Sequence, residues 1–265
     1  MSRIFDLRRG STPLLVSIPH DGRLLAPGMA TRMTDAALRL PDTDWHVRKL
    51  YEFAAGLGAG IIAANFSRYV VDLNRSAEDA ALYEGQVSTG LCPSMTFAGE
   101  PVYRDKSKVT SEERDERVER YWRPYHDALR CELDRLVADF GYALLWDGHS
   151  IRGDVPRLFE GTLPDLNLGT NGGASLAPAL ETAVAEAARR SGYSSVVNGR
   201  FRGGFITRHY GNPQRGVQAI QLELAQRNYM DEESFEYRSG EAGRLAAAIC
   251  GLLESFMGAA AQLKV

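Results

Sequence analysis

The chain has 265 residues, a formal net charge of -3, and 44% hydrophobic against 25% charged residues, an ordinary balance for a folded globular protein. That charge gives no electrostatic footprint for nucleic acid or an anionic membrane surface. Three cysteines, Cys92, Cys131 and Cys250, lie far apart without a Cys-x-x-Cys spacing, which argues against a disulfide framework or a cysteine-zinc knuckle.

Residues Met1 to Arg9 have no apolar core of secretory-signal length, and no stretch approaches a membrane span. A cytoplasmic place is therefore expected. The run Pro13-Leu14-Leu15-Val16-Ser17-Ile18 leads into Pro19-His20-Asp21-Gly22 and predicts a buried strand ended by a turn. Asp42-Thr43-Asp44 then precedes a helical stripe of Val47, Leu50, Ala54 and Leu57, closed by Gly58-Ala59-Gly60. Runs Ile61 to Asn65 and Tyr69 to Leu73, separated by Phe66-Ser67-Arg68, predict a hairpin and so a mixed sheet. Residues 76–109 read as a long loop.

Thr110 with Glu113 predicts a capping box, and Pro124 a kink or split in the helix that follows. Tyr142-Ala143-Leu144-Leu145-Trp146 predicts a second buried strand, ending at Asp147-Gly148-His149-Ser150. Residues 150–173 are Gly- and Pro-bearing and irregular. An Ala-rich helix from Pro178 to Arg190, a short strand Ser194 to Val197, a glycine-rich segment Gly199 to Gly211, a strong strand Val217 to Ala225 and a helix Gly240 to Phe256 complete the chain. Alternating strand and helix signals argue for an α/β architecture. No linker divides the chain, so one domain over residues 1–265 is expected.

His20 and His149 both follow buried apolar runs, where chemistry collects in open α/β sheets. They can converge on one metal ion or one proton in transit. His46 and His126, placed among helical residues, read as structural. A catalytic zinc site needs a third protein ligand and an open position. No His-Glu-x-x-His exists, so Asp44 or Asp42 is the candidate, and a plain capping role for either stays open. Glu223 alternates onto the polar face of its strand with Gln221. It is either a general base or a solvent-facing carboxylate, and the residues leave both open. Arginines in Asp72-Leu73-Asn74-Arg75 and in the glycine-rich segment suit an acidic small molecule. No dinucleotide fingerprint, Walker loop or nucleophile elbow is present.

With these residues in view, the chain resembles the N-formylglutamate amidohydrolase (N-formylglutamate deformylase) family. The likeness is carried by Ser17-Ile-Pro-His-Asp-Gly22, Asp42-Thr-Asp-Trp-His46, Ser67-Arg-Tyr-Val-Val-Asp-Leu-Asn-Arg75, Pro124-Tyr-His126 and Trp146-Asp-Gly-His-Ser150. It continues through Pro156 to Gly161, Leu163 to Thr170, Gly199 to Gly211 and Gln218 to Glu223. The family is distantly similar to zinc carboxypeptidases and aspartoacylases. The resemblance implies a three-layer αβα fold with a mixed central sheet, one divalent metal ion with zinc the expected one, and hydrolysis of N-formyl-L-glutamate to glutamate and formate in histidine degradation.

By the same likeness His20 and His149 are metal ligands, with Asp44 standing in for an acid that is missing three residues after His20, where Arg23 sits. Asn74 and Arg75 hold a substrate carboxylate, and Glu223 activates water. Arg202, Arg208 and His209 are the expected partners of the second carboxylate of a dicarboxylate substrate. Two other readings compete: a metal-dependent amidase or carboxypeptidase for another N-acyl amino acid, and a non-catalytic small-molecule binder. Neither native metal nor oligomeric state is legible.

Overall fold

The computed structural model describes residues 2–79, 89–104 and 109–263. Seven strands pair into one sheet: β1 (Phe5–Arg8), β2 (Leu14–Ile18), β3 (Gly60–Ala64), β4 (Ala143–Ile151), β5 (Leu166–Gly169), β6 (Ser195–Val197) and β7 (Val217–Ala225). Their order is β1-β3-β2-β4-β7-β5-β6. The central four, β3, β2, β4 and β7, are parallel. β1 runs antiparallel to β3, and β5 antiparallel to β7.

The helices are α1 (Asp35–Leu38), α2 (Val47–Leu50), α3 (Ser111–Arg117), α4 (Arg123–Phe140), α5 (Pro178–Arg190), α6 (Phe205–Tyr210) and α7 (Ser239–Leu263). Strand alternation sends neighbouring side chains to opposite faces. Leu14, Val16, Ile18, Leu144, Trp146, Ile220, Leu222 and Leu224 enter one core with Leu50 of α2, Val184 of α5 and Ile249 and Phe256 of α7. Leu15, Ala143, Leu145 and Ala219 enter the other with Leu129, Leu133 and Leu136 of α4 and Ile206 of α6. Helices thus cover both faces, giving the expected three-layer αβα arrangement around a mixed sheet.

The sheet is mixed for a different reason than the sequence suggested. Tyr69 to Leu73 is irregular, with turns at either end, and is not the second strand of a hairpin, although Tyr69, Val70, Val71 and Leu73 are all buried. The antiparallel pairs come from β1 and β5, neither of which was expected. β5 lies inside the stretch 150–173, and α6 inside the glycine-rich segment. Pro124 does split its helix: a π turn over Val118–Trp122 precedes α4. Proline removes one backbone donor and crowds the carbonyl four residues earlier, and the wider turn accommodates both effects. Thr110 Oγ1 accepts from the Glu113 amide at 3.2 Å, while the Glu113 carboxylate pairs with Arg32 and Arg117 instead of closing the box.

The last helix runs past Phe256 to Leu263. Among the described residues it is one helix long and apolar enough to cross a membrane, against the expectation that no stretch approaches a span. Its Leu245, Ile249, Leu252, Leu253 and Phe256 are buried under the sheet.

Candidate active site

The carboxyl ends of β2, β4 and β7 meet where strand order reverses, since β3 lies to one side of β2 and β4 to the other. His20 lies just past β2. His149 is within β4 rather than in a turn after it, because the strand continues through Asp147-Gly148-His149-Ser150. Glu223 pairs with His149 in register on β7, so the two side chains leave the same face side by side. Asp44 arrives from the turn before α2, where its amide donates to the His20 carbonyl at 3.1 Å.

Both imidazoles are tied at Nε2. His20 Nε2 is 2.8 Å from Asp72 Oδ1, and His149 Nε2 is 3.0 Å from Asp147 Oδ2. A carboxylate at Nε2 anchors a proton there, so Nδ1 is the nitrogen whose lone pair would serve a metal ion. Both Nδ1 atoms face Asp44 Oδ2, at 3.7 Å from His20 and 3.0 Å from His149. Ligands about 2.0–2.1 Å from a tetrahedral ion lie roughly 3.3 Å from one another. Two imidazoles and a carboxylate, all buried, with donor atoms within 4.8 Å, therefore fit one borderline-soft divalent ion.

Each supporting carboxylate has its own partners. Asp147 accepts from the Ser17 hydroxyl at 3.1 Å, and Ser17 meets the Tyr125 hydroxyl of α4. Asp72 pairs with Arg68 at 2.7 Å and accepts the Asn74 amide at 2.8 Å. Burial would raise the Asp72 carboxyl, but Arg68 and His20 outweigh it and hold it well below the usual range. Burial likewise opposes charge on Asp44, yet the hydrogen bonds and charges of His149 and His20 keep it ionised. Burial disfavours a charged His149 as well, and Asp147 and Asp44 more than reverse that, pushing its pKa well above the ordinary histidine value. Glu223 has no ion-pair partner among the described residues, only the Gln221 amide, which donates at 3.5 Å: burial lifts it to about 8, against the pull of His149. It is 8% exposed, so it is not a solvent-facing strand carboxylate.

Asp42 stands apart from this group. Its Oδ2 accepts from the Phe97 amide at 2.9 Å, and burial raises its carboxyl to about 6. Neither aspartate caps α2 through its side chain; His46 occupies that position with a left-handed backbone, φ 66°. His46 and His126 take structural parts. His126 contacts the Tyr210 hydroxyl and donates to the Leu73 carbonyl, securing the loop that carries Asn74.

A cleft over the cluster is lined by His20, His149, Glu223, Gln221, Asn74 and Gly204, with an apolar wall of Phe97, Ile151, Leu158 and Phe201. Asn74 Nδ2 is 3.0 Å from His149 Nε2, and Asn74 Oδ1 accepts the Ile206 amide of α6. A side chain at position 204 would displace Asn74, because a Cβ there would come within 2.2 Å of Asn74 Nδ2. Arg75 lines the cleft, its guanidinium donating to Thr89 and to the Asn74 carbonyl. Arg68 and Arg200 line it too, whereas Arg202, Arg208 and His209 do not. Arg208 Nε instead donates to the Gly203 carbonyl, and His209 stacks on Phe205.

Arg68, Asp72 and Asp147 were given no role in the sequence, and Arg200 was marked only together with the other arginines of the glycine-rich segment. The first three carried a signal: charged residues beside apolar runs that are bound for the interior need a partner there.

An α/β sheet with two histidines, an aspartate and a glutamate gathered at its strand ends has the layout of a hydrolase. The chain belongs to the N-formylglutamate amidohydrolase family, whose sequence profile matches residues 12–230. A curated N-formylglutamate deformylase of Pseudomonas aeruginosa is 51% identical over 259 residues, 97% of this chain and 97% of its own length. One from Pseudomonas putida is 49% identical over the same coverage. A crystal structure of an N-formylglutamate amidohydrolase from Ralstonia eutropha superimposes with a TM-score of 0.81 at 26% identity, over 95% of this chain and 96% of that one.

Proposed function

We propose that the protein is an N-formylglutamate deformylase that hydrolyses N-formyl-L-glutamate to L-glutamate and formate. The substrate follows from its likeness to the two Pseudomonas deformylases. The hydrolytic reading rests on one observation: an uncompensated carboxyl, Glu223, stands in register beside a His-Asp-His donor set. His20, Asp44 and His149 would hold one divalent ion, with zinc the best match to two imidazoles and a carboxylate. That ion supplies Lewis acidity towards water and towards the formyl oxygen.

The chain's own residues do the rest. Arg75, ordered by Asn74 and Thr89, binds a substrate carboxylate and fixes the formyl group over Glu223. Glu223 takes a proton from the attacking water as the new C–O bond forms. It returns that proton to the nitrogen as the C–N bond breaks, releasing formate and the free amine. A carboxyl that burial raises above its ordinary value is suited to both steps. Phe97, Ile151, Leu158 and Phe201 keep bulk water from the site. The whole chain acts as one catalytic unit in this reading, and the reaction suits the last step of histidine degradation.

Formate release from N-formylglutamate by the purified protein tests the reading. Turnover of other N-acyl amino acids at equal kcat/KM would favour a broader amidase, and no turnover with tight binding would favour a non-catalytic binder.

A further inference from the structure

His149 is carried within β4 and His20 lies just past β2, whereas Asp44 sits in the turn before α2. A ligand on a turn is only as fixed as the backbone that bears it. The carbonyls on either side of Asp44 are both held by side chains from elsewhere. Gln226 Nε2 donates to the Thr43 carbonyl at 3.0 Å, and the Tyr229 hydroxyl donates to the Trp45 carbonyl at 2.8 Å.

Gln226 and Tyr229 belong to one turn immediately after β7, closed by the Tyr229 amide on the Gln226 carbonyl at 3.1 Å. Both side chains are buried. Their polar ends also meet at one atom: Ser150 Oγ lies 3.3 Å from Gln226 Nε2 and 2.7 Å from the Tyr229 hydroxyl. Ser150 follows His149 directly, and its amide donates to Asp44 Oδ2 at 3.2 Å. That oxygen is the one facing Nδ1 of both imidazoles. The contacts close a ring from Asp44 through Thr43 and Trp45 to Gln226 and Tyr229, on to Ser150, and back to Asp44.

Gln226 carries a second observation. Its Oε1 is buried and has no hydrogen-bond partner among the described residues. An orphaned buried acceptor is unfavourable. An apolar side chain of the same length would pack without that loss, so the contribution of Gln226 lies in its Nε2 donor.

Resting on the reading of His20, Asp44 and His149 as the ligands of an ion, we infer that Gln226 and Tyr229 are positioning residues. They fix the Asp44 carboxylate against His149 and so set the affinity of the ion site.

Chelator competition for zinc on purified wild type, Tyr229→Phe and Gln226→Met tests the inference. Each substitution keeps side-chain size and removes the group that holds a carbonyl beside Asp44. Zinc affinity should fall about 10–100-fold in each, the cost of losing a partner behind the ligands. Tyr51→Phe is the control: Tyr51 is buried in the same core as Tyr229, and its hydroxyl accepts from Trp146 Nε1 at 2.8 Å. It should lower the thermal midpoint of metal-free protein much as Tyr229→Phe does, yet leave zinc affinity unchanged. If Gln226→Met does not fold, Tyr229→Phe carries the test. Unchanged zinc affinity in the folded variants, or an equal loss in Tyr51→Phe, overturns the inference. Wild-type protein that binds no zinc in the same competition overturns the ligand reading itself.

Discussion

The two faces of the central sheet use the same strands differently. Towards α5 and α7, Leu14, Val16 and Ile18, then Leu144 and Trp146, then Ile220, Leu222 and Leu224 run apolar along the strands. Towards α4 and α6 the amino halves are apolar, with Leu15, Leu145 and Ala219, and the carboxyl halves are polar, with Ser17, Asp147, His149, Gln221 and Glu223. Both faces are buried. One supplies packing along its length, while the other gives up packing for a network in which Asp147 and His149 hold one another and Glu223 alone lacks a countercharge at salt-bridge distance among the described residues. The polar half stays in the sheet because its strands keep their backbone ladder while the side chains satisfy one another.

The sharpest test of this contrast uses neighbours on β7. Glu223→Gln should lower kcat about 10²–10⁴-fold while KM, fold and metal content change little, because it removes a proton carrier of unchanged volume. Steady-state kinetics with elemental analysis on the same sample checks this. Near-wild-type kcat would make Glu223 a bystander, and metal loss would make it a ligand. One residue earlier, Leu222→Ala should cost about 2–5 kcal/mol of stability, read by denaturant unfolding, with kcat of the folded fraction nearly kept. If the two effects are interchanged, the division of labour between faces is wrong.

The same contrast explains what could be read from the sequence. α5 and β7 appear with their observed bounds because a helix with a buried stripe and a strand of alternating Ile220, Leu222 and Leu224 announce themselves by period. β4 looked shorter than it is. Its apolar run stops at Trp146, yet Asp147 and His149 continue the strand as the polar half of the site face. A polar stretch after an apolar one resembles a turn until its partners, Ser17, Asn74 and Asp44, are known. The Tyr69 to Leu73 run was misread the opposite way. It is apolar and buried but irregular, sharing a core with α4, and it carries Asp72 and leads into Asn74. His20 and His149 stood out from their places near strand ends, whereas Asp44, which the structure brings together with them, was open against Asp42. The arginines that line the cleft did not stand out, since β5, α6 and the apolar wall decide which of them reach it.

A milder change sharpens the account of the polar half. Asp147→Asn leaves the shape at His149 but no longer anchors the proton at Nε2. Metal affinity, measured by chelator competition, should fall about 10–100-fold with little change in fold. An unchanged affinity would mean that Ser17, Tyr125 and Asp147 only fill space.

The smallest expected effect is on stability with pH. In metal-free protein the Glu223 pKa of about 8 exceeds its ordinary 4.5, so the folded state holds a proton that the unfolded state releases. The stability from that neutral carboxyl is full below the lower value and is lost as pH rises through the higher one. Thermal midpoints of metal-free wild type should therefore fall relative to Glu223→Gln between roughly pH 5 and pH 8. Parallel curves would show that Glu223 is not held neutral by burial.

The central claim is that two histidines and Asp44, and not Asp42, hold one ion at the strand ends. Elemental analysis of purified wild type, Asp44→Asn and Asp42→Asn tests it most directly. The account predicts about one divalent ion per chain in wild type and Asp42→Asn, and near-complete loss in Asp44→Asn. Full metal content in Asp44→Asn, with loss in Asp42→Asn, would contradict it.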